Sequence, residues 1–426
     1  MTARWWRRHR AAPAAALVLA VLLLLVGAIG ALPREASEPE PEPYWYGTLQ
    51  TGPDRAAVEY EHGIRVAHLQ LDWDRFEPEP GVYDEEYARE VRDTLDVFRA
   101  AGLRVEAGLG LNDAPPWLPD AFPSSVFVNQ FGEQSTTAPN IVFSEPVREH
   151  IAEYVRAVDR LIGLDRLWAV RVGISETGEF AYPNPPETSS RSAEFWAYDR
   201  HAQEQSPYPG WRPGESTYHG RPFTREQVAR WYDWYAGALA GAVNWQLDLY
   251  TSLGYEGALK VLIPGSGFYP SDLRAAVDAR LVGSPSLQLV ARGVGFFLTL
   301  PLLEHRDTVR IVTTALVDGT GAPVDNGCSP ADARTDVAAP DDALVRGWSS
   351  PRWVVAVARS AGFTRLTGES AGPQISPYRP GVTETAARQM TSCGLEGIMW
   401  AFDEQLYDGT PGSSLDDYAE TIRRHP

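Results

Sequence analysis

The chain has 426 residues, a formal net charge of −18 at pH 7, a single lysine, Lys260, and two cysteines, Cys328 and Cys393. With no basic run beyond its first ten residues, it lacks the clustered cations that nucleic acid binding requires. The cysteines lie outside any CxxC or His-rich setting, which argues against zinc, and they are too few for a disulfide scaffold, although in an oxidising compartment they can pair.

Arg4, Arg7, Arg8 and Arg10 precede an uncharged, apolar run from Ala11 to Ala31. About 20 residues suffice to cross a bilayer as a helix, whereas the apolar core of a cleaved signal has about 7 to 15. The expectation is a membrane anchor over residues 1–31 with its basic end inside. The alternative is a secretory signal cleaved near Ala28-Ile29-Gly30, and either places the rest outside the cytoplasm. Residues 32–43 alternate proline with glutamate, which predicts an extended, self-repelling spacer. Residues 44–426 are expected to form one domain.

Within that domain, short apolar runs rich in Val, Ile and Leu alternate with helical patterns. Strands are predicted near Trp45–Gln50, Ile64–Leu71, Leu103–Leu109, Leu167–Ile174, Ala258–Ile263, Val309–Leu316, Phe363–Thr367 and Gly397–Phe402. Between them Asp84 caps a helix striped by Tyr87, Val91, Leu95 and Phe98 that stops at Gly102, and Ser144-Glu145-Pro146 opens another striped by Val147, Ile151, Val155 and Val158. Thr224 and Gln227 have the spacing of a capping box before a long helix ending near Gly254, and the last helix starts at Ser413 or Ser414. Eight strand and helix units predict an α/β fold, a single (β/α)8 TIM barrel. Long insertions after strand three (Asn112–Pro139) and strand four (Ala181–Pro222, dense in Pro, Tyr, Trp and Gly) fall where this fold builds its active face, and are expected to wall a substrate cleft.

Strand four exits into SETGE, placing Glu176 and Glu179 beyond an apolar strand, and strand seven places Glu369 at the corresponding exit. Opposed carboxylates from two strand ends suit glycoside hydrolysis. One protonates the leaving oxygen while the other attacks the anomeric carbon or activates water. Trp73, Trp117, Tyr182 and Trp400 near strand exits offer faces for sugar rings, and Asn112 and Asp113 offer partners for sugar hydroxyls, although each also has a structural reading in the core or in a turn.

The stretch around strand two, with Trp73, Glu77, Pro78 and Gly81, resembles the large clan of retaining TIM-barrel glycosidases that includes the family 42 β-galactosidases. The motif DAPPWLPD, Asp113 to Asp120, resembles the PPxWL segment of those enzymes, and Trp400 fits their strand eight. The clan shows Asn-Glu at the end of strand four, where this chain has Ser175-Glu176. The neighbouring VGISETGEFAYP instead resembles the β-amylase segment whose Glu is the general acid, which falls on Glu179, with Tyr182 and Pro183 also matching. The resemblances thus nominate two acids, Glu176 and Glu179, and we favour Glu179 because that match is longer. With Glu369 as nucleophile the clan implies retention, while the β-amylase segment implies inversion with Glu369 as base.

The expected function is therefore hydrolysis of an extracellular oligo- or polysaccharide by two glutamates, with no cofactor or metal and with the membrane met only through the N-terminal segment. The rival is a catalytically silent barrel that binds glycan or organises an envelope complex. Ser266 lies in PGSGF and Ser370 in GESAG, and neither is a GxSxG followed by the Asp and His order of a hydrolase triad; no nucleotide-binding glycine motif opens a helix, and Asp403, Glu404 and Asp408 do not match an EF-hand loop.

Overall fold

The structure, a computed structural model, describes residues 43–50, 52–185, 193–317, 326–372, 380–401, 403–410 and 412–426. Tyr44–Pro426 forms one compact unit. The anchor or signal expected over residues 1–31, and all but the last residue of the spacer, lie outside the described residues. Among the described residues no helix is long and apolar enough to cross a membrane.

Eight parallel strands close into a barrel: β1 (Trp45–Thr48), β2 (Val66–Gln70), β3 (Arg104–Gly108), β4 (Ala169–Val172), β5 (Ala258–Ile263), β6 (Val309–Leu316), β7 (Leu366–Ser370) and β8 (Gly397–Trp400). Each pairs with its neighbours in sequence, and β8 closes on β1 through Trp45 opposite Gly397 and Thr48 opposite Trp400. The strands read as near-continuous apolar runs because side chains on one face meet the barrel interior and those on the other meet helices. β5, ALKVLI, is buried along its whole length, and Lys260 is its one charged residue.

Helices follow the strands: α1 (Ala56–Glu61), α2 (Glu85–Ala100), α3 (Glu145–Leu161), α4 (Arg225–Ser252), α5 (Pro270–Asp278), α6 (Ser350–Ser360), α7 (Val382–Cys393) and α8 (Leu415–Arg424). The predicted caps form at three of them. Asp84 accepts from the Glu86 and Tyr87 amides, Thr224 and Gln227 make a reciprocal capping box, and Ser414 does the same with Asp417. Each such cap satisfies amide donors that a helix start leaves orphaned, worth about 1 kcal/mol. Ser144 stands at the N-cap of α3 without a side-chain cap, its hydroxyl meeting Ser124 instead.

β7 departs from its predicted range. Phe363 belongs to the end of α6: Gly362 takes a positive φ of 92°, the Phe363 amide donates to Ala358 O at 2.9 Å, and the ring stacks on His305. An apolar residue just past a helix-ending glycine seals that turn, and in sequence it imitates a strand start. Glu369 consequently sits within β7 rather than beyond it.

Cys328 and Cys393 form a disulfide that ties the segment after β6 to the end of α7. The insertion after β4 does not wall the cleft with its tryptophans as expected. Trp196 and Trp211 are fully buried, and Phe195 and Trp211 pack edge-on against Trp231 of α4, making an aromatic cluster outside the barrel that is continuous with the main core. Large apolar rings gain more from this burial than from solvent exposure at a cleft rim.

Candidate active site

The C-terminal mouth of the barrel holds a cavity of about 420 Å³. Its polar lining includes Gln50, His68, Gln70, Asn112, Arg171, Gln246 and Glu369, with Leu49, Leu109, Leu111 and Tyr250 supplying apolar wall. Neutral amides beside apolar faces are what a sugar's hydroxyls and ring faces require.

Glu369 Oε2 accepts from Arg171 Nη2 at 2.9 Å. Burial pushes the Glu369 carboxyl above its ordinary value; the Arg171 cation opposes this, and the charges of Glu106 and Glu179 reinforce it.

The loop after β4 is built to return a carboxylate to the barrel. Gly178 takes a positive φ of 73°, and its amide donates to Ser175 O at 2.7 Å, closing a tight turn. A Cβ at position 173 would collide with the Gly178 carbonyl, so the close approach requires Gly173. Ser175, fully buried, accepts from the Glu179 amide at 3.2 Å. Where the clan carries Asn, this serine braces the turn. Glu179 then accepts from Thr177 Oγ1 and from Thr314 Oγ1 of β6, both at 2.8 Å.

Glu176 goes elsewhere. Its carboxylate accepts from the side-chain amide of Asn184 and, at 3.3 Å, from the Asn184 backbone amide. Its carbonyl accepts from Asn112 Nδ2 at 3.0 Å, and Asn112 also accepts from Gln70 at 3.3 Å, which sets Asn112 in the cavity wall. Of the two strand-four carboxylates, the charge of Glu179 bears on Glu369.

The aromatic expectations are corrected. Trp73 is 1% exposed, and its Nε1 donates to Glu77 Oε2 at 2.7 Å. The Gly81 amide donates to Glu77 Oε1 at 2.6 Å, and Trp117 Nε1 to Glu77 O at 2.9 Å. Trp73, Glu77, Gly81 and Trp117 thus form a knot centred on the buried Trp73 and Glu77 side chains, and neither tryptophan lines the cavity. Tyr182 stacks on Tyr235 at 4.1 Å and donates to its carbonyl, so its ring is shut inside the aromatic cluster. Trp400 is fully buried against Tyr418. Asp113 is exposed, and its amide closes a turn on Gly110 O. Of the predicted sugar contacts, Asn112 alone reaches the cavity.

Charged residues inside the barrel were missed. Lys260 Nζ donates to Glu106 Oε2, and Arg171 Nη1 donates to Glu106 Oε1 at 3.4 Å. Burial opposes the charge on Glu106, but Lys260, Arg171 and His68 outweigh it and hold the carboxyl below its usual range. Burial lowers His68 to about 3, so its imidazole is neutral at pH 7. A charge inside an apolar strand, Glu106 in RVEAG, Arg171 in AVRV and Lys260 in ALKVLI, is the signal that could have found them, because an unpaired charge is not tolerated there. Among the described residues no group of three or more His, Cys, Asp or Glu side chains is arranged to hold a metal ion.

Residues 48–167 match the family model described as Beta-galactosidase, glycoside hydrolase family 42. The barrel resembles those of the family 42 β-galactosidases. Beta-galactosidase BgaA of Clostridium cellulovorans is 29% identical over 75 residues, 17% of this chain and 11% of that protein. Among solved structures, the catalytic domain of β-amylase from Paenibacillus polymyxa matches with a TM-score of 0.58 at 13% identity, covering 90% of this chain and 98% of that one. The β-galactosidase of Halorubrum lacusprofundi matches with a TM-score of 0.55 at 14% identity, covering 89% and 58%. The chain thus spans about a tenth of BgaA and little more than half of the Halorubrum lacusprofundi β-galactosidase. At these identities the structures share the fold, and the sequence likeness to family 42 is carried by the first part of the barrel, including the knot around Glu77.

Proposed function

We propose that this barrel hydrolyses glycosidic bonds of an oligo- or polysaccharide outside the cytoplasm, with Glu179 as acid/base and Glu369 as nucleophile. The observation that carries the reading is that Glu369 lines a sugar-sized cavity and feels the charge of Glu179, which is bonded to Thr314 of β6, while the Glu176 carboxylate is taken up by Asn184. Glu179 protonates the leaving oxygen, Glu369 attacks the anomeric carbon, and water activated by Glu179 releases the sugar with retained configuration. The likeness of residues 48–167 to family 42 supports this chemistry.

One observation favours a second stereochemical reading. The strand-four carboxylate whose charge acts on Glu369 is Glu179, the position matched by the β-amylase segment, which accords with inversion and with Glu369 as the base for water. Proton NMR of the first anomer released separates the two outcomes. The test of hydrolysis itself is a panel of aryl glycosides and polysaccharides with wild type and Glu369→Gln. Turnover by wild type that falls by 10³-fold or more in Glu369→Gln is the order expected for loss of such a group. Glycan binding without turnover in either protein would leave the silent, glycan-binding barrel.

A further inference from the structure

Inside the barrel, below the two glutamates, stand ionisable side chains that the steps above leave without a role. The strand register sets His68 of β2 opposite Glu106 of β3, and Arg171 of β4 opposite Lys260 of β5. The hydrogen bonds join them in sequence: Lys260 to Glu106, Glu106 to Arg171, and Arg171 to Glu369 on β7. With His68 neutral, two cations face two anions. Lys260 is further held over the rings of Trp45 and Trp168, 4.3 and 5.0 Å from their centroids. β1 and β8 contribute no charged residue, and Arg310 of β6 pairs with Glu396 instead. Glu179 adds its charge from above, and Tyr255 lies within electrostatic reach of Glu106.

Barrel interiors are ordinarily filled by branched apolar side chains, and burying ion pairs costs desolvation that such residues would avoid. The charges therefore answer to something other than stability. We propose that Arg171 is a positioning residue for Glu369, gripping one carboxylate oxygen and holding the group ionised and aimed, while Glu106 and Lys260 anchor the guanidinium from below. The functional meaning rests on Glu369 being the reacting carboxylate, but the test does not.

Because Lys260 is the only lysine in the chain, labelling lysine side chains of the full-length protein with carbon-13 and nitrogen-15 gives a single NMR signal from this network. Its pH titration is expected to show a step that vanishes in Glu369→Gln and so belongs to Glu369. Arg171→Met removes a cation and moves that step up by about 1 to 3 pH units, and Glu106→Gln removes an anion and moves it down. Should Arg171→Met fail to fold, Glu106→Gln carries the opposite-signed test alone. A step at the wild-type pH in every folded variant, or no Glu369-dependent step at all, overturns the proposal. A purely structural role would change stability and leave the step in place. Since turnover is not read, a protein that hydrolyses nothing leaves this result intact.

Discussion

Glu77→Gln tests whether the tryptophan-glutamate motif is structural. Both carboxylate oxygens of Glu77 accept from N–H donors, Trp73 Nε1 at 2.7 Å and the Gly81 amide at 2.6 Å, and the side chain is fully buried. An amide of the same shape must turn an NH2 towards one of those donors. One bond to a charged acceptor is lost, worth about 1.5–3 kcal/mol; the other weakens to a neutral bond, and a buried donor is left unmatched at about 1–3 kcal/mol. The sum is a destabilisation of about 3–5 kcal/mol, or a fall in apparent Tm of roughly 4–6 °C for a domain this size, read at one scan rate by calorimetry. Because the knot lies outside the cavity, any turnover of the folded fraction should survive within a few-fold. A Tm within about 1 °C of wild type, or intact stability with abolished turnover, would refute the structural reading.

Asp403 is pushed up to about 7 by burial, with the nearby Glu59 charge acting in the same sense, and its Oδ1 accepts from the Gln50 amide at 2.6 Å. A raised carboxyl stabilises most when protonated, so its contribution, about 4 kcal/mol, is full below pH 4 and is lost as pH rises to about 7, where it levels off. Asp403→Asn should gain stability over wild type at pH 8 and lose that advantage at pH 4, measured by denaturant unfolding at both; equal differences at the two pH values would count against it. Trp211→Ala, in the aromatic cluster outside the barrel, should cost about 3–5 kcal/mol in the same assay while leaving cavity residues in place, and a loss under 1 kcal/mol would mean that this cluster is not packed as described. Cys393→Ser should destabilise by about 2–4 kcal/mol by freeing the segment after β6, checked by comparing oxidised and reduced melting temperatures.

Much of the barrel was legible because its signals are local and redundant. β5 and β6 were read with their observed ends since apolar runs stop at turn residues, and the caps of α2, α4 and α8 are short polar patterns that bond within four residues. The site was legible only in part. Glu179 and Glu369 stand near strand ends by sequence alone, and the longer β-amylase-like match already favoured Glu179 over Glu176, but how Gly173 and Gly178 fold the loop back could not be read. Trp73, Tyr182 and Trp400 looked like sugar platforms because an aromatic near a strand exit reads the same whether it faces the cavity or the core. Arg171, Glu106 and Lys260 went unread as a group because the register that joins them spans strands far apart in sequence.

The account's central claim is that Glu179, not Glu176, protonates the leaving group. The most direct measurement compares kcat/KM of wild type, Glu176→Gln and Glu179→Gln on a dinitrophenyl glycoside, whose leaving group needs no proton, and on the matching alkyl glycoside, whose leaving group does. The account predicts that Glu179→Gln loses about 10²–10⁴-fold more on the alkyl than on the dinitrophenyl substrate, with Glu176→Gln close to wild type on both. The opposite assignment, a leaving-group-dependent loss in Glu176→Gln with Glu179→Gln unaffected, would contradict it.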